Sequence, residues 1–153
     1  MKPGTFTQIY IHLIFAVKFR DALLKKELRN ELFKYISGII SNRKCKPIIV
    51  NGVQDHVHIL VGLNPNEKIS DLVAHIKRDS SKFLNNKGLF NGKFQWQDGY
   101  GAFSCNRSQL NTVYNYILNQ EEHHRVKTFR EEYIDFLKAY GIKYDEKFLF
   151  HDL

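Results

Sequence analysis

Two histidines flank a single valine in the run His56-Val57-His58. If that run is a strand, its two-residue period puts both imidazoles on one face and turns Val57 and Ile59 to the other. Two neutral imidazoles so placed chelate one divalent metal, although an HxH also arises by chance in a chain with 7 His. Asp55, just before the pair, either supports an imidazole from outside the ligand shell or simply forms the turn. A third protein ligand must come from elsewhere, and a helix starting at Ser108 and running to about His124 offers candidates. Sorted at about 100° per residue, its apolar arc is Leu110, Val113, Tyr114, Ile117 and Leu118, which assigns Tyr114 to the core. Gln109, Tyr116, Gln120 and His123 cluster on the polar side, and Tyr116 and Gln120, four apart, stand one above the other. A phenol beside an amide oxygen that enters a metal shell has the parts for attack on a phosphodiester, with the metal polarising the phosphate. The alternative is an amphipathic helix with an ordinary surface Tyr and Gln, and spacing alone does not join strand to helix.

The elements that must hold these groups follow from hydrophobic periodicity. Residues 6–17 alternate, with Ile9, Ile11, Leu13, Phe15 and Val17 on one face of a first strand. Residues 23–42 carry Leu24, Leu28, Leu32, Ile36 and Ile40 at fourfold spacing, the stripe of a helix. Residues 46–53 and 56–63 are short and rich in β-branched residues, two strands joined by a turn at Gln54-Asp55. A second helix over 67–86 follows the Pro65-Asn66 break, and the aromatic stretch 94–104 predicts a fourth strand bent at Gly99 and Gly101. The order βαββαβ is the split-βαβ, ferredoxin-like pattern: an α+β, RRM-like four-stranded antiparallel sheet with two helices on one face and the other face open. Ser108 caps the helix of Tyr116, and Thr128 with Glu131 forms a capping box for a last helix ending at Gly141. The expectation is one domain over 1–153, with a core at about 6–104, the tyrosine helix at about 108–124, and a C-terminal helix and tail at about 128–153.

Composition narrows the function classes. The chain has 153 residues, 43% hydrophobic and 14% aromatic, enough to bury a core and unlike a disordered tail. Its 23 Lys and Arg outnumber 16 Asp and Glu, for a net charge of +7 that attracts polyanions, nucleic acid first among them. No apolar run approaches the roughly 18–20 residues of a membrane span, and the first residues lack the apolar core of a signal peptide, which predicts a cytoplasmic protein. Cys45 and Cys105, far apart, read as free thiols.

Three ordered blocks, DHVHIL at 55–60, WQDGYGAFS at 96–104 and YILNQEEHH at 116–124, resemble the single-tyrosine HUH transposases of the IS200/IS605 type. The C-terminal part from Thr128 to Phe150 is also similar to members of this group, which include REP-associated tyrosine transposases acting on dispersed palindromes. The resemblance implies a dimeric transposase that nicks single-stranded DNA near hairpin ends, forms a 5′-phosphotyrosine link and leaves a free 3′-OH. Carried over by motif, His56 and His58 are the HUH pair, Tyr116 the nucleophile and Gln120 the third ligand of a Mg²⁺ or Mn²⁺ ion. The helical-face argument selects the same tyrosine. In such dimers the tyrosine helix can complete the partner's site, and sequence does not separate that trans arrangement from a cis one.

Further candidates surround this set. His123 and His124 read as phosphate contacts or as charges at a helix C-terminus rather than as metal ligands. His12 shares strand parity with Tyr10, where it either approaches the site or serves as a structural histidine. Lys18, Arg20, Lys77, Arg78 and Lys82 are candidate DNA contacts or solvated surface, and Trp96 and Tyr100 are stacking platforms or core. Rival readings are a non-catalytic RRM-like DNA- or RNA-binding domain, a two-motif HxT/S phosphoesterase lacking its second motif, and a zinc hydrolase lacking a third His or carboxylate.

Overall fold

The computed structural model describes residues 3–20 and 23–145. Their order is β1 (Tyr10–Ala16), α1 (Lys26–Asn42), β2 (Lys46–Gly52), β3 (His56–Gly62), α2 (Ile69–Asn86), β4 (Gly101–Cys105), α3 (Leu110–Leu118), α4 (Gln120–His124) and α5 (Phe129–Ala139). The four strands form one antiparallel sheet in the order β2-β3-β1-β4, the ferredoxin-like arrangement. The expected tail beyond Asp145 lies outside the described residues. Among the described residues no helix is long and apolar enough to cross a membrane.

Strand alternation sorts the two faces. Ile11, Leu13, Phe15 and Val17 of the first strand segment, with Val57, Ile59 and Val61 of β3, pack under Leu28, Leu32, Ile36 and Ile40 of α1 and Leu72, Val73, Ile76 and Leu84 of α2. Each such side chain, fully buried, contributes about 1.5–3 kcal/mol. α1 starts later than its stripe suggests because the amide of Leu24 is bonded to the carbonyl of Gln54 at 2.9 Å, pinning Leu24 to the β2–β3 turn.

The second face is not open, as the βαββαβ pattern alone predicts; the C-terminal helices cover it. Ile14, Ala16 and Phe103 pack against Phe129 and Leu137 of α5, while Leu60 and Cys105 pack against Ile117 of α3. Between these two small apolar clusters lie the buried polar side chains His12, His56, His58, Gln120 and Glu132.

Two expected elements change. The fourth strand is only Gly101–Cys105: Gly99, at φ +86°, turns the chain, and upstream Trp96 makes an isolated bridge to Val17. The cap of the tyrosine helix is Asn106, not Ser108. Its side chain accepts the Gln109 amide at 3.0 Å, and the Gln109 side chain accepts the Asn106 amide at 3.0 Å, opening a short 3₁₀ turn before α3. The helix also breaks at Asn119 (φ −98°, ψ 28°), whose side-chain amide donates to the Asn115 carbonyl at 2.9 Å. Asn51 of β2 donates to the carbonyls of Ile117 and Leu118 at 2.8 and 3.1 Å, satisfying acceptors at that broken end. Downstream, Thr128 caps α5 by accepting the Glu131 amide, and Gly141 takes the left-handed φ of +66° just past its end.

Candidate metal and tyrosine centre

Register places the histidine pair in mid-sheet. His56 lies opposite Ala16 and His58 opposite Ile14, so both rings emerge on the face beneath α3–α5, and both are fully buried. Each ring is held from behind through Nδ1. His56 Nδ1 donates to Asp55 Oδ1 at 2.8 Å, and His58 Nδ1 faces His12 Nε2 at 2.8 Å. Both rings therefore turn Nε2 toward one point. Outer partners of this kind fix the tautomer and direction of metal-ligating imidazoles.

The point they face is occupied by a group that the sequence reading passed over. Glu132 of α5, 4% exposed, accepts from His58 Nε2 at 2.9 Å through Oε1, and the same oxygen lies 3.4 Å from His56 Nε2. Its other oxygen accepts the hydroxyl of Tyr116. Glu132 was legible as an anomaly: in α5 it falls with Phe129, Tyr133, Phe136 and Leu137 on the apolar i, i+3, i+4 face, where an unpaired carboxylate is costly.

The remaining candidates are placed as follows. Gln120 is fully buried, with Oε1 3.3 Å from His56 Nε2 and its amide nitrogen 3.4 Å from the Tyr116 carbonyl, so the two stay neighbours despite the helix break. Tyr116 is half-buried under α5 rather than on an exposed face. His123 stacks on its ring, with centroids 4.5 Å apart. His124 Nε2 sits 3.3 Å from His56 Nε2, at the site itself rather than only capping a helix end. Tyr114, expected in the core, is 37% exposed, because the inward face of α3 centres on Ile117.

The outlying candidates divide. Lys77 is a brace: its ammonium donates to the carbonyls of Gln97 and Gly99 at 2.8 and 2.6 Å, and burial lowers it to about 8. Trp96 belongs to the core and is not a free stacking surface. It packs edge-on against Phe15 and Phe94 and donates to Ser80 Oγ at 2.9 Å. Tyr100 is exposed, Lys18 and Lys82 line a groove beside α2, and Arg78 pairs with Asp79 at 3.0 Å. The side chain of Arg20 lies outside the described residues.

Electrostatics follow from burial and charge. Burial alone would raise Glu132, but the hydrogen bonds from His56 and His58 outweigh it and hold the carboxyl far below the usual range. Burial lowers His58 to about 4 against the pull of Glu132. His56 moves the other way: burial opposes its charge, but Asp55 and Glu132 together raise it. Burial, then the charge of Glu132, pushes Tyr116 well above an ordinary phenol. Burial and the neighbouring His58 put His12 well below an ordinary imidazole.

The donor set fits a divalent cation. His56, His58 and Glu132 present ligand atoms that all lie within 4.8 Å of one another, and Asp55, His56 and His124 form a second such group. Ligand atoms about 2.1 Å from a common ion lie roughly 3 Å from each other, and the spacings at His56 and His58 match that. Imidazole, amide and carboxylate together suit Mn²⁺, Mg²⁺ or Zn²⁺.

Comparison with known proteins places the chain in a family and supports its fold. Residues 5–120 match the family model described as IS200-like transposase. The ISDra2 transposase TnpA of Deinococcus radiodurans is 25% identical over 125 residues, covering 78% of this chain and 89% of that protein. A crystal structure from Deinococcus radiodurans R1, of a protein assigned as a transposase, superposes with a TM-score of 0.63 at 25% identity, over 78% of this chain and 96% of that one. A REP-associated tyrosine transposase bound to a REP hairpin superposes at 0.58 with 15% identity, over 81% of this chain and 74% of that one, a likeness of fold. The family match stops at Gln120, so α5 and Glu132 lie beyond it.

Proposed function

The chain belongs to the IS200-like transposase family, and on that premise we propose that it cuts and rejoins single-stranded DNA at hairpin-flanked ends through a tyrosine–DNA intermediate. The observation that carries this reading is the convergence of the Tyr116 hydroxyl and the Nε2 atoms of His56 and His58 on one carboxylate, Glu132. A nucleophile and a pair of metal ligands meeting in a buried pocket is what phosphoryl transfer by a phenol requires.

In this mechanism the phenolic oxygen of Tyr116 attacks the scissile phosphorus and its proton passes to Glu132 Oε2, the atom that already accepts it. The bond from phosphorus to O3′ breaks, the departing oxygen takes up a proton from water as a free 3′-OH while Glu132 returns its own to solvent, and the 5′ side stays on Tyr116 as a phosphotyrosine. Attack by a 3′-OH on that linkage reverses the steps and joins a new strand. His56, His58 and Gln120 would hold a Mg²⁺ or Mn²⁺ ion, which would supply charge stabilisation to the phosphate. Asp55 and His12 keep the two imidazoles aimed, and His123 packs the phenol ring in place.

Hairpin ends are part of the proposal because the REP-associated relative of the same fold is bound to a REP hairpin. Tyr116 stands beside the histidine pair of its own chain, which supports a cis site, so that the proposed cytoplasmic homodimer pairs two complete centres. The test is a denaturing-gel assay with Mg²⁺ or Mn²⁺ and single-stranded oligonucleotides from the flanks of the gene. A metal-dependent covalent adduct is expected, absent in Tyr116→Phe and in His58→Ala. Absence of any adduct with tight hairpin binding retained would replace this reading with a non-catalytic binding relative. Recovery of activity on mixing His56→Ala with Tyr116→Phe chains would show trans sites instead.

A further inference from the structure

A groove of about 590 Å³ runs between α2 and the segment 93–98 on the outer side of the sheet. Lys18, Lys77, Arg78, Lys82 and Lys93 line it against a single acid, Asp98. Lys77 is committed to carbonyls, Arg78 to Asp79 and Lys18 to the neutral Gln95 Oε1 at 3.1 Å, but Lys82 and Lys93 have no hydrogen-bond or ion-pair partner among the described residues. Unneutralised cations facing one groove repel each other and are stabilised by an anion whose charges repeat along its length.

The Lys18 end of the groove adjoins, through the backbone, the strand end that carries His56. Lys18 follows Ala16 and Val17, Ala16 pairs with His56, and the Val17 amide donates to the carbonyl of Asp55 at 2.8 Å. The next residue, Phe19, has φ 59° and ψ 12°, a left-handed conformation that a bulky side chain rarely adopts and that costs stability. What that conformation presents is an aromatic face, 41% exposed, with the Lys18 ammonium 5.4 Å from the ring centroid. An exposed ring beside a cationic track is the pairing by which proteins hold unpaired bases.

We propose that this groove holds the sugar–phosphate backbone of the single-stranded DNA next to the cleaved bond, through Lys18, Lys82 and Lys93, and that Phe19 stacks on one unpaired base. The assignment rests on the reading of the chain as a single-strand transposase. It adds a binding surface on the far side of the sheet edge from Tyr116.

The test is fluorescence anisotropy with the full chain, a labelled oligothymidylate and a duplex of equal length, over a range of salt. Lys82→Gln with Lys93→Gln should weaken oligothymidylate binding about tenfold and reduce the log–log salt slope by about 1.4, or roughly 0.7 per lost phosphate contact. Lys34→Gln with Lys68→Gln, which removes the same charge outside the groove, should do much less. Phe19→Gly should raise the melting temperature, because glycine accepts that φ freely, while weakening oligothymidylate binding roughly tenfold and leaving duplex binding unchanged. Equal effects of the two lysine pairs, unchanged affinity in Phe19→Gly, or equal loss for both probes would overturn the assignment. A missing covalent adduct with these groove effects intact would remove the catalytic reading alone, and an adduct formed with groove variants that bind normally would remove the groove alone.

Discussion

The hydroxyl of Tyr116 and Nε2 of His58 are bound to opposite oxygens of the same Glu132 carboxylate, the second at 2.9 Å. The candidate nucleophile and a candidate metal ligand are thus joined by an anion from α5, which also faces His56 at 3.4 Å. Glu132→Gln keeps the shape and the tyrosine bond but removes the charge. Mn²⁺ affinity, measured by calorimetry, should fall about tenfold or more, the range seen when groups supporting a metal are lost. Unchanged affinity would leave the imidazoles and Gln120 as the whole donor set.

His12 is the partner that keeps His58 aimed, with the two rings 2.8 Å apart at their nitrogens and both buried. His12→Phe preserves an aromatic ring against Phe103 and Phe136 but leaves His58 Nδ1 without its partner. Urea unfolding in chelator should show a loss of about 1–3 kcal/mol, the cost of one orphaned buried polar atom. Metal affinity should drop between about tenfold and a hundredfold. A stable variant with normal affinity would reduce His12 to packing.

Much of this was legible in residue order, and the exceptions share a cause. Period two placed Val57 and Ile59 in the core and both imidazoles opposite them, and fourfold spacing found the stripes of α1 and α2. These signals are strong because one face of each element must be dry. Glu132 was missed because an acid in the first turn of a capped helix reads as a response to the macrodipole. Only its place within an apolar face distinguished it. The break at Asn119 carries no Pro or Gly; it comes from a side-chain amide competing for a backbone carbonyl and from Asn51 reaching across from β2. The exposure of Tyr114 is a matter of helix phase, set by which neighbours α3 meets, and a single helical wheel does not contain that information.

Stability in chelator should depend on pH through the buried imidazoles. His58 is lowered from 6.5 to about 4 by burial, so between those values the unfolded chain takes a proton that the folded chain refuses. Its contribution is complete above about 6.5 and is lost as pH falls. His12 and His124, both lowered by burial, act in the same direction. His56 is raised and opposes them, contributing below 6.5 and losing that contribution as pH rises through its folded value. With three groups against one, unfolding free energy should be lower at pH 5 than at pH 7.5, with about 2 kcal/mol from His58 alone. The slope should flatten in His58→Gln. A wild-type profile that rises toward pH 5 would mean that the His56–Asp55 pair dominates.

Glycines at two positions should respond to the same substitution with opposite signs. At Gly52, the last residue of β2, a Cβ would meet the carbonyl oxygen of His56 and sit 3.0 Å from Val57 Cα. Both obstacles are backbone, so β3 must shift where His56 enters it. Gly52→Ala should therefore destabilise by about 3 kcal/mol, the upper part of the usual overpacking range, and weaken metal binding with it. At Gly38, inside α1, a Cβ meets nothing within 4 Å. There alanine removes backbone freedom from the unfolded chain, and Gly38→Ala should stabilise by roughly 0.5–1 kcal/mol with metal affinity untouched. Thermal and urea unfolding of the two variants, beside Mn²⁺ calorimetry, checks both signs. A well-folded Gly52→Ala variant with normal affinity would show that the β2–β3 end is looser than the packing around His56 requires.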